Sequence, residues 1–154
     1  MGCCAHCVGA GKVFGTRQAY KDLKRLRAKG PSHSTRVLVD AMRGQGVEDA
    51  TVLDIGGGVG AAQIGLLESG AARVVGVDAS AAYLAVAEEE MKRRGLWDRV
   101  EYRFGDFLDV AGELMPTDVV ILDRVVCCYP HMKELMVRST ALAQRMVGLV
   151  YPRD

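Results

Sequence analysis

The sequence contains no long apolar run and no targeting signal. None of its apolar stretches is long enough to cross a bilayer. The first ten residues lack the cationic start and apolar core of a secretory signal. Position 6 is His6 rather than Ser or Thr, so the N-terminal myristoylation pattern is missing as well. From these absences we expect a cytoplasmic protein that has no membrane partner and keeps its thiols reduced.

The sequence also has no excess of charge of either sign. Its 20 Lys and Arg residues against 19 Asp and Glu residues give a net charge of +1, so nothing drives the whole chain toward nucleic acid. One stretch, 16–29, is strongly basic and contains a single acidic residue, Asp22. We interpret it as the solvated face of a helix. The alternative interpretation is a patch that attracts an anionic substrate or partner.

Cysteine is present in two small clusters. Cys3, Cys4 and Cys7 lie at the front, and Cys127 and Cys128 lie near the back. A structural zinc site usually needs two spaced pairs of ligands, and the front cluster supplies one C-x-x-C, so no metal site is predicted. A thiol-rich mouth for a metal or a soft electrophile would require the front segment to fold across the sheet. Otherwise we expect Cys127 and Cys128 to be small buried apolar residues.

Short apolar strands alternate with helices along most of the chain. Strands are predicted at 51–55, 73–77, 100–104, 118–122 and 146–151, and helices at 16–29, about 32–43, 60–69, 80–94 and from Pro130 onward. This alternation is typical of a doubly wound, Rossmann-like α/β domain with a parallel sheet of about five strands and helices on both faces. We predict a single domain over 1–154. Residues 1–46 form a Cys-rich segment and helices, and residues 47–154 form the core.

A glycine-rich turn follows the first predicted strand in VLDIGGGVG, residues 52–60. Glycine allows a ligand to approach the backbone closely, and the helix that follows offers unpaired N–H groups. The pattern Gly56-x-Gly58-x-x-Ala61 loosely matches a dinucleotide-binding turn, with Asp78 at a suitable distance for a ribose contact. Asp54 argues against this reading, because a carboxylate at the turn would repel a pyrophosphate.

S-adenosylmethionine suits the same turn better, because it has no phosphate and carries an ammonium group that can pair with Asp54. Asp78 follows the second strand and can accept both ribose hydroxyls. Asp106 follows the third strand and can accept the amine of adenine. Phe107 or Tyr83 is expected to pack against the adenine ring. The alternative is that these side chains only pack in the protein core.

Four motifs together resemble those of class I S-adenosylmethionine-dependent methyltransferases. VLDIGGGVG, VVGVDAS, YRFGDF and DVVILDRV follow in the order of that family, and the resemblance covers about residues 37–154. The stretch LDRVVCCYP is similar to that of small bacterial methyltransferases, some likened to magnesium-protoporphyrin O-methyltransferases. The resemblance implies that the loop at the methionine end of the cofactor consists of Asp54, Gly56, Gly58 and Gly60. It further implies that Asp78, with Ala79 beside it, binds the ribose and that Asp106, with Phe107 beside it, contacts the adenine. Asp123 would lie near the transferred methyl group.

Methyl transfer is an in-line displacement at a carbon that the cofactor already activates, so the protein supplies orientation and, for some acceptors, a base. Asp123, Tyr129 and His131 follow the fourth predicted strand and are the candidates for these roles. For His131 the alternative is an exposed position in the first turn of a helix. Arg124 is expected either to orient an acidic substrate or to brace Asp123. We expect a small-molecule acceptor.

Two other functions remain open from the sequence. Members of the family usually have seven strands, whereas five are predicted here. A non-catalytic cofactor-binding module or a truncated fragment is therefore one alternative, and a second copy of the chain is a possible partner for the open edge of the fifth strand. The other alternative is an NAD-dependent oxidoreductase, which Asp54 disfavours.

Overall fold

A computed structural model describes residues 15–151 of the protein, so the predictions for Cys3, Cys4 and Cys7 lie outside the described residues. The helices are α1 (Thr16–Lys29), α2 (His33–Gln45), α3 (Ala61–Glu68), α4 (Ala81–Arg93), α5 (Phe107–Val110) and α6 (Met132–Leu142). The strands are β1 (Thr51–Ile55), β2 (Arg73–Asp78), β3 (Val100–Phe104), β4 (Thr117–Asp123) and β5 (Ala143–Val150). Within the described range, no helix combines the length and the apolar character needed to span a bilayer.

The five strands form one parallel sheet in the order β3-β2-β1-β4-β5. The predicted fold class is therefore confirmed. The chain winds outward from β1 to β3 in one direction and then crosses back to β4 on the other side of β1. In sheets of this kind, ligands bind where the winding direction reverses, beyond the carboxyl ends of the strands. The glycine-rich turn after β1 lies at that point.

Alternate residues of the buried strands face two separate layers of the core. In β4, Val119 and Ile121 pack into the layer formed with α1 to α4, whereas Val120 and Leu122 pack into the layer formed with α5 and α6. All four side chains are fully buried. Because both faces are covered, the strand shows no polar side, which is why it reads as a continuous apolar run.

Two boundaries near the C-terminal end differ from the sequence prediction. The fifth strand is predicted to begin at Met146, but β5 begins at Ala143, which pairs with Thr117. Pairing with β4 extends the strand backward at the expense of the helix. Pro130 is predicted to open that helix, but it lies in the preceding turn, and α6 begins at Met132.

Helix α1 is fastened to α4 by a cluster of charged and polar contacts. The Arg27 Nε atom donates to Glu90 at 2.9 Å, and the Tyr20 hydroxyl donates to Glu89 at 2.9 Å. Arg93 and Arg94 also contact Glu90, which is fully buried. These contacts place the inner face of α1 over the carboxyl ends of the strands.

Candidate cofactor-binding site

A cavity of about 570 Å³ opens at the carboxyl ends of β1, β2 and β4. Its volume is within the range of small-molecule sites. Most of the predicted site residues line it: Asp54, Gly56, Gly58, Asp78, Ala79, Asp106, Phe107, Asp123 and Tyr129. Gly60 and His131 are outside the lining. Strand ends that are far apart in sequence thus bring their polar residues to one place, as the pattern of acids after successive strands predicts.

The glycine-rich turn packs directly onto the end of β1. A Cβ atom at Gly57 would lie 2.3 Å from Asp54 Oδ2 and 2.4 Å from Gln63 Nε2, so only glycine fits there. Gly60 has φ +87° and precedes α3, a left-handed conformation that glycine adopts without strain. The close contact at Gly57 is not evident from the sequence, where the three consecutive glycines look equivalent.

Asp54 lies beneath the turn rather than at its lip, which corrects the position expected from the sequence. Its side chain is fully buried, and Gln63 Nε2 donates to Oδ2 at 2.8 Å. Among residues 15–151, the other oxygen, Oδ1, has no hydrogen-bond partner. Burial raises the pKa of Asp54 to about 7, and the charges of Asp123 and Asp78 add to the rise, while the bond from Gln63 opposes it. Asp54 also lines the cavity, so a cation bound against it would meet a carboxylate oxygen that has no partner among the described residues.

Asp78 joins the glycine-rich turn to the start of α4. The backbone N–H of Gly58 donates to Asp78 Oδ2 at 3.1 Å, and the N–H of Ser80 donates to Oδ1 at 2.8 Å. These two contacts orient the carboxylate of Asp78 between the glycine-rich turn and α4. The side chain is partly exposed at the cavity wall.

Asp106 caps the short helix α5, which the sequence does not predict. Its Oδ1 accepts the backbone N–H of Leu108 at 3.0 Å and also the hydroxyl of Tyr129. Burial raises the pKa of Tyr129, and its bond to Asp106 raises that pKa further. Tyr129 therefore stays a neutral phenol, which makes it a hydrogen-bond donor to Asp106 rather than a base. Phe107 is buried beside this pair and lines the cavity.

Asp123 ends β4 on the opposite side of the cavity. Thr35 of α2 donates to Asp123 Oδ2 at 2.5 Å, and Arg124 Nε donates to Oδ1 at 3.2 Å. Arg124 has φ +59°, in the left-handed region, where a residue other than glycine is strained. Both arginine and aspartate line the cavity, so this strained turn presents a cation and an anion side by side.

The segment after Asp123 differs from the sequence expectation at the cysteines. Cys127 and Cys128 are exposed free thiols, 3.4 Å apart, at the cavity lining, so the expectation that they are buried is wrong. They lie in a short 3-10 turn, whose tight geometry points both side chains away from the core. His131 is exposed at the N-terminus of α6. In the described part of the chain, no group of three or more His, Cys, Asp or Glu residues is arranged to bind a metal.

Several cavity residues escape sequence reasoning because they come from other elements. Helix α1 contributes Asp22 and Arg25, and the hydroxyl of Tyr83 donates to Asp22. Burial raises the pKa of Tyr83, so this phenol also stays protonated. The amphipathic pattern of α1 predicts a buried face but does not say that the face covers a cavity. Gln63, which is buried in the apolar helix α3 beneath the cavity lining and contacts Asp54, is also missed.

Residues 52–146 match the model of a methyltransferase-domain family. This match spans more than half of the 154 residues. The chain belongs to the class I S-adenosylmethionine-dependent methyltransferase family. S-adenosylmethionine is accordingly its cofactor. A comparison with curated protein sequences finds no significant match.

Solved structures share the fold of this methyltransferase domain. Magnesium protoporphyrin IX methyltransferase from Synechocystis PCC 6803, with bound S-adenosylmethionine, is 19% identical with a TM-score of 0.72, covering 99% of this chain and 80% of that one. An O-methyltransferase of tomaymycin synthesis from Streptomyces achromogenes is 20% identical with a TM-score of 0.66, covering 86% and 61%. A candidate RNA methyltransferase from Pyrococcus horikoshii is 20% identical with a TM-score of 0.63, covering 75% and 58%. The chain thus spans between 58% and 80% of the length of these relatives.

The residues of the cavity fit S-adenosylmethionine. Asp54 provides a buried carboxylate oxygen with no partner among the described residues. The backbone at Gly57 passes so close to this carboxylate that only glycine fits there. An ammonium group satisfies that oxygen, whereas a pyrophosphate would be repelled by it. Asp78 and Asp106 lie farther along the same wall, at the ends of the neighbouring strands β2 and β3.

Proposed function

We propose that this methyltransferase-family protein transfers the methyl group of S-adenosylmethionine to a small-molecule acceptor. The single observation that most supports this proposal is the buried, half-satisfied carboxylate of Asp54 at the wall of the cavity. When bound, the cofactor supplies an activated methyl group on a sulfonium centre. The protein's part is then to bind, to orient and to exclude water.

In the proposed arrangement, the methionine end of the cofactor lies at the glycine-rich turn. Asp54 pairs with its ammonium group, directly or through one water. The turn at Gly56, Gly58 and Gly60 lets the protein backbone lie close to the cofactor. Asp78, beside Ala79, accepts from the ribose hydroxyls. At the far end of the cavity, Asp106 accepts from the adenine amine, and Phe107 packs against the ring.

The acceptor is proposed to bind on the side of Asp123. Its carboxylate is only partly buried, with 11% of the side chain exposed, and it lines the cavity next to Arg124. We assign the acceptor-orienting role to Asp123 rather than to the other two candidates. Tyr129 donates to Asp106, and His131 lies outside the cavity lining. Since Arg25 and Arg124 are cavity-lining cations, an acceptor with an anionic group would find charge partners there.

We also propose that 1–46 and 47–154 act as one domain. Residues of α1 and α2 line the same cavity as the strand ends, and Thr35 of α2 contacts Asp123. The cavity therefore depends on both parts.

A non-catalytic cofactor-binding module is the second candidate function. It is favoured by one observation, that both carboxylate oxygens of Asp123 already accept hydrogen bonds, from Thr35 and from Arg124. These contacts give Asp123 a structural role, holding α2 and Arg124 in place, that needs no methyl acceptor. This candidate shares the cofactor site with the first and differs from it only in turnover.

Calorimetric titration tests the cofactor assignment. We expect saturable binding of S-adenosylhomocysteine, the demethylated product, with one site per chain, and no saturable binding of NAD at the same concentrations. Binding of NAD alone would overturn the proposal and favour the oxidoreductase alternative. Incubation of the protein with S-adenosylmethionine and a panel of small acceptors then separates enzyme from module, because only the enzyme forms S-adenosylhomocysteine.

A further inference from the structure

Gln63 is a polar side chain buried in the middle of an otherwise apolar helix. It belongs to α3, is 2% exposed, and is surrounded in sequence by Ala61, Ala62 and Ile64. A buried amide has two donors and an acceptor to satisfy, so a residue of this kind is costly unless its partners are fixed. Its partners come from two different strands, β1 and β3.

The two ends of the Gln63 amide contact different groups. Nε2 donates to Asp54 Oδ2 at 2.8 Å, and the hydroxyl of Tyr102 donates to Oε1 at 2.7 Å. Burial raises the pKa of Tyr102, with a further rise from nearby carboxylates, so its hydroxyl keeps its proton. The ionised carboxylate of Asp54 can only accept hydrogen bonds, so the NH₂ group of the amide faces Asp54 and Oε1 is held by the hydroxyl of Tyr102. With the amide turned round, two oxygens would face each other at Asp54.

The surrounding backbone is shaped to admit this chain of three side chains. A Cβ atom at Gly76 of β2 would lie 2.7 Å from the ring of Tyr102 and 3.2 Å from Gln63 Nε2. A Cβ atom at Gly57 would lie 2.4 Å from the same Nε2. Glycines therefore stand where any other residue would displace the amide. Such close approach indicates that the position of the amide matters to the site.

We propose that Gln63 is a positioning residue for the cofactor, which, oriented by Tyr102, turns the second oxygen of Asp54 toward the ammonium group of S-adenosylmethionine. This inference rests on the proposed function, in which Asp54 binds that group. Gln63 itself does not touch the cofactor in this arrangement. It satisfies Oδ2, so that Oδ1 is the oxygen left for the ligand.

A positioning role for Gln63 has a measurable consequence that a purely structural role does not share. Loss of the amide should weaken only ligands that carry the amino acid end, because only that end meets Asp54. S-adenosylhomocysteine has this end. 5′-Methylthioadenosine contains the same nucleoside and sulfur but lacks it. The ratio of the two dissociation constants therefore reports on the contacts of the amino acid end, among which Asp54 is the residue that Gln63 contacts.

The test uses Gln63→Leu and Tyr102→Phe in the full chain, with both ligands titrated by calorimetry at pH 8. We expect Gln63→Leu to raise the Kd of S-adenosylhomocysteine about tenfold and Tyr102→Phe to raise it about threefold. The Kd of 5′-methylthioadenosine should change by less than about twofold, because this ligand has no group that contacts Asp54. If Gln63→Leu does not fold, Tyr102→Phe decides the question.

Matched controls come from the surface. Gln144 is exposed on β5, and Tyr151 is exposed just after β5, both outside the cavity lining, so Gln144→Leu and Tyr151→Phe should leave both constants unchanged. Equal weakening of both ligands by the Gln63 and Tyr102 variants, or no weakening of either, would overturn the inference. A wild-type protein that binds S-adenosylhomocysteine no better than 5′-methylthioadenosine would instead overturn the proposed role of Asp54, and this inference with it.

Discussion

The two walls of the cavity are built on different principles. At the end of the cavity where we propose that the methionine part of the cofactor binds, Asp54 and Gln63 are buried under a glycine turn that leaves no room for a Cβ atom at Gly57. At the end where we propose that the acceptor binds, the segment from Asp123 to Cys128 is partly exposed and contains a strained arginine. A ligand common to a whole family can be met by a rigid, buried site, whereas a variable ligand is met by an exposed loop on that scaffold. The difference explains why the sequence motifs identify the cofactor but not the acceptor.

The largest expected effect that separates the two walls is the pH dependence of stability. Asp54 has a pKa of about 7 in the folded protein and an ordinary, lower value when unfolded. Between these values the folded state binds the extra proton, so stability falls as pH rises from about 4.5 to 8. Between these pH values, we expect the free energy of unfolding to decrease by about 2 to 4 kcal/mol less in Asp54→Asn than in the wild type.

Denaturant unfolding of wild type and Asp54→Asn at pH 4.5 and pH 8 provides the measurement. Glu90 does not interfere in this range, because hydrogen bonds from Arg93, Arg94 and Arg27 keep its pKa at about 2. Parallel pH profiles for the two proteins would mean that Asp54 is not buried as described.

The affinity for S-adenosylhomocysteine should be next in size. Asp54→Asn removes a charged partner of the ammonium group, which should cost about 1.5 to 3 kcal/mol at pH 8. For wild type, affinity should fall as pH drops below 7, since the ionised carboxylate is the form that pairs. Asp123→Asn, at the exposed wall, serves as the control and should change the Kd far less. Equal losses in the two variants would erase the distinction between the walls.

Gly57→Ala tests the tightness of the buried wall directly. The added methyl group would lie 2.3 Å from Asp54 Oδ2 and must displace it. Overpacking of this kind should lower the free energy of unfolding by about 1 to 3 kcal/mol and weaken binding of S-adenosylhomocysteine. Gly44→Ala is the matched control, because it lies in α2 with no atom within 4 Å and should stabilise the helix slightly. If Gly57→Ala left both the free energy of unfolding and the Kd of S-adenosylhomocysteine unchanged, the site around Asp54 would not be tightly packed.

The smallest effect concerns the thiols of the exposed wall. Iodoacetamide should label the tryptic peptide 125–133 in the native protein, because Cys127 and Cys128 are exposed. The hydrogen bond between Cys128 and Cys127 raises the pKa of Cys128, so one thiol should react before the other. Saturating S-adenosylhomocysteine should slow the labelling, since both thiols line the cavity. Labelling only after unfolding would contradict the described exposure.

The fold was predictable because its signals are local. The helix at 16–29 and the strands at 51–55 and 100–104 match α1, β1 and β3 residue for residue. The convergence of Asp78, Asp106 and Asp123 was predictable for a similar reason, since parallel strands bring their carboxyl ends to one edge. These inferences need periodicity and strand direction only.

The rest of the site depends on contacts that the sequence does not encode locally. Asp54 looks like a residue at the lip of a turn, and its burial follows from Gly57 folding over it. Tyr129 looks like a candidate base, but it meets Asp106 across 23 positions of sequence. Gln63 reaches Tyr102 across 39 positions. Such pairings require the tertiary arrangement, because no spacing rule links residues on different strands.

A crystal structure of the protein grown with S-adenosylhomocysteine would show whether Asp54 binds the ammonium group of the ligand. We expect the ammonium nitrogen to lie about 3 Å from Asp54 Oδ1, or to be joined to it by one water, with the ribose at Asp78. A nucleoside bound elsewhere, or an ammonium group remote from Asp54, would contradict this expectation.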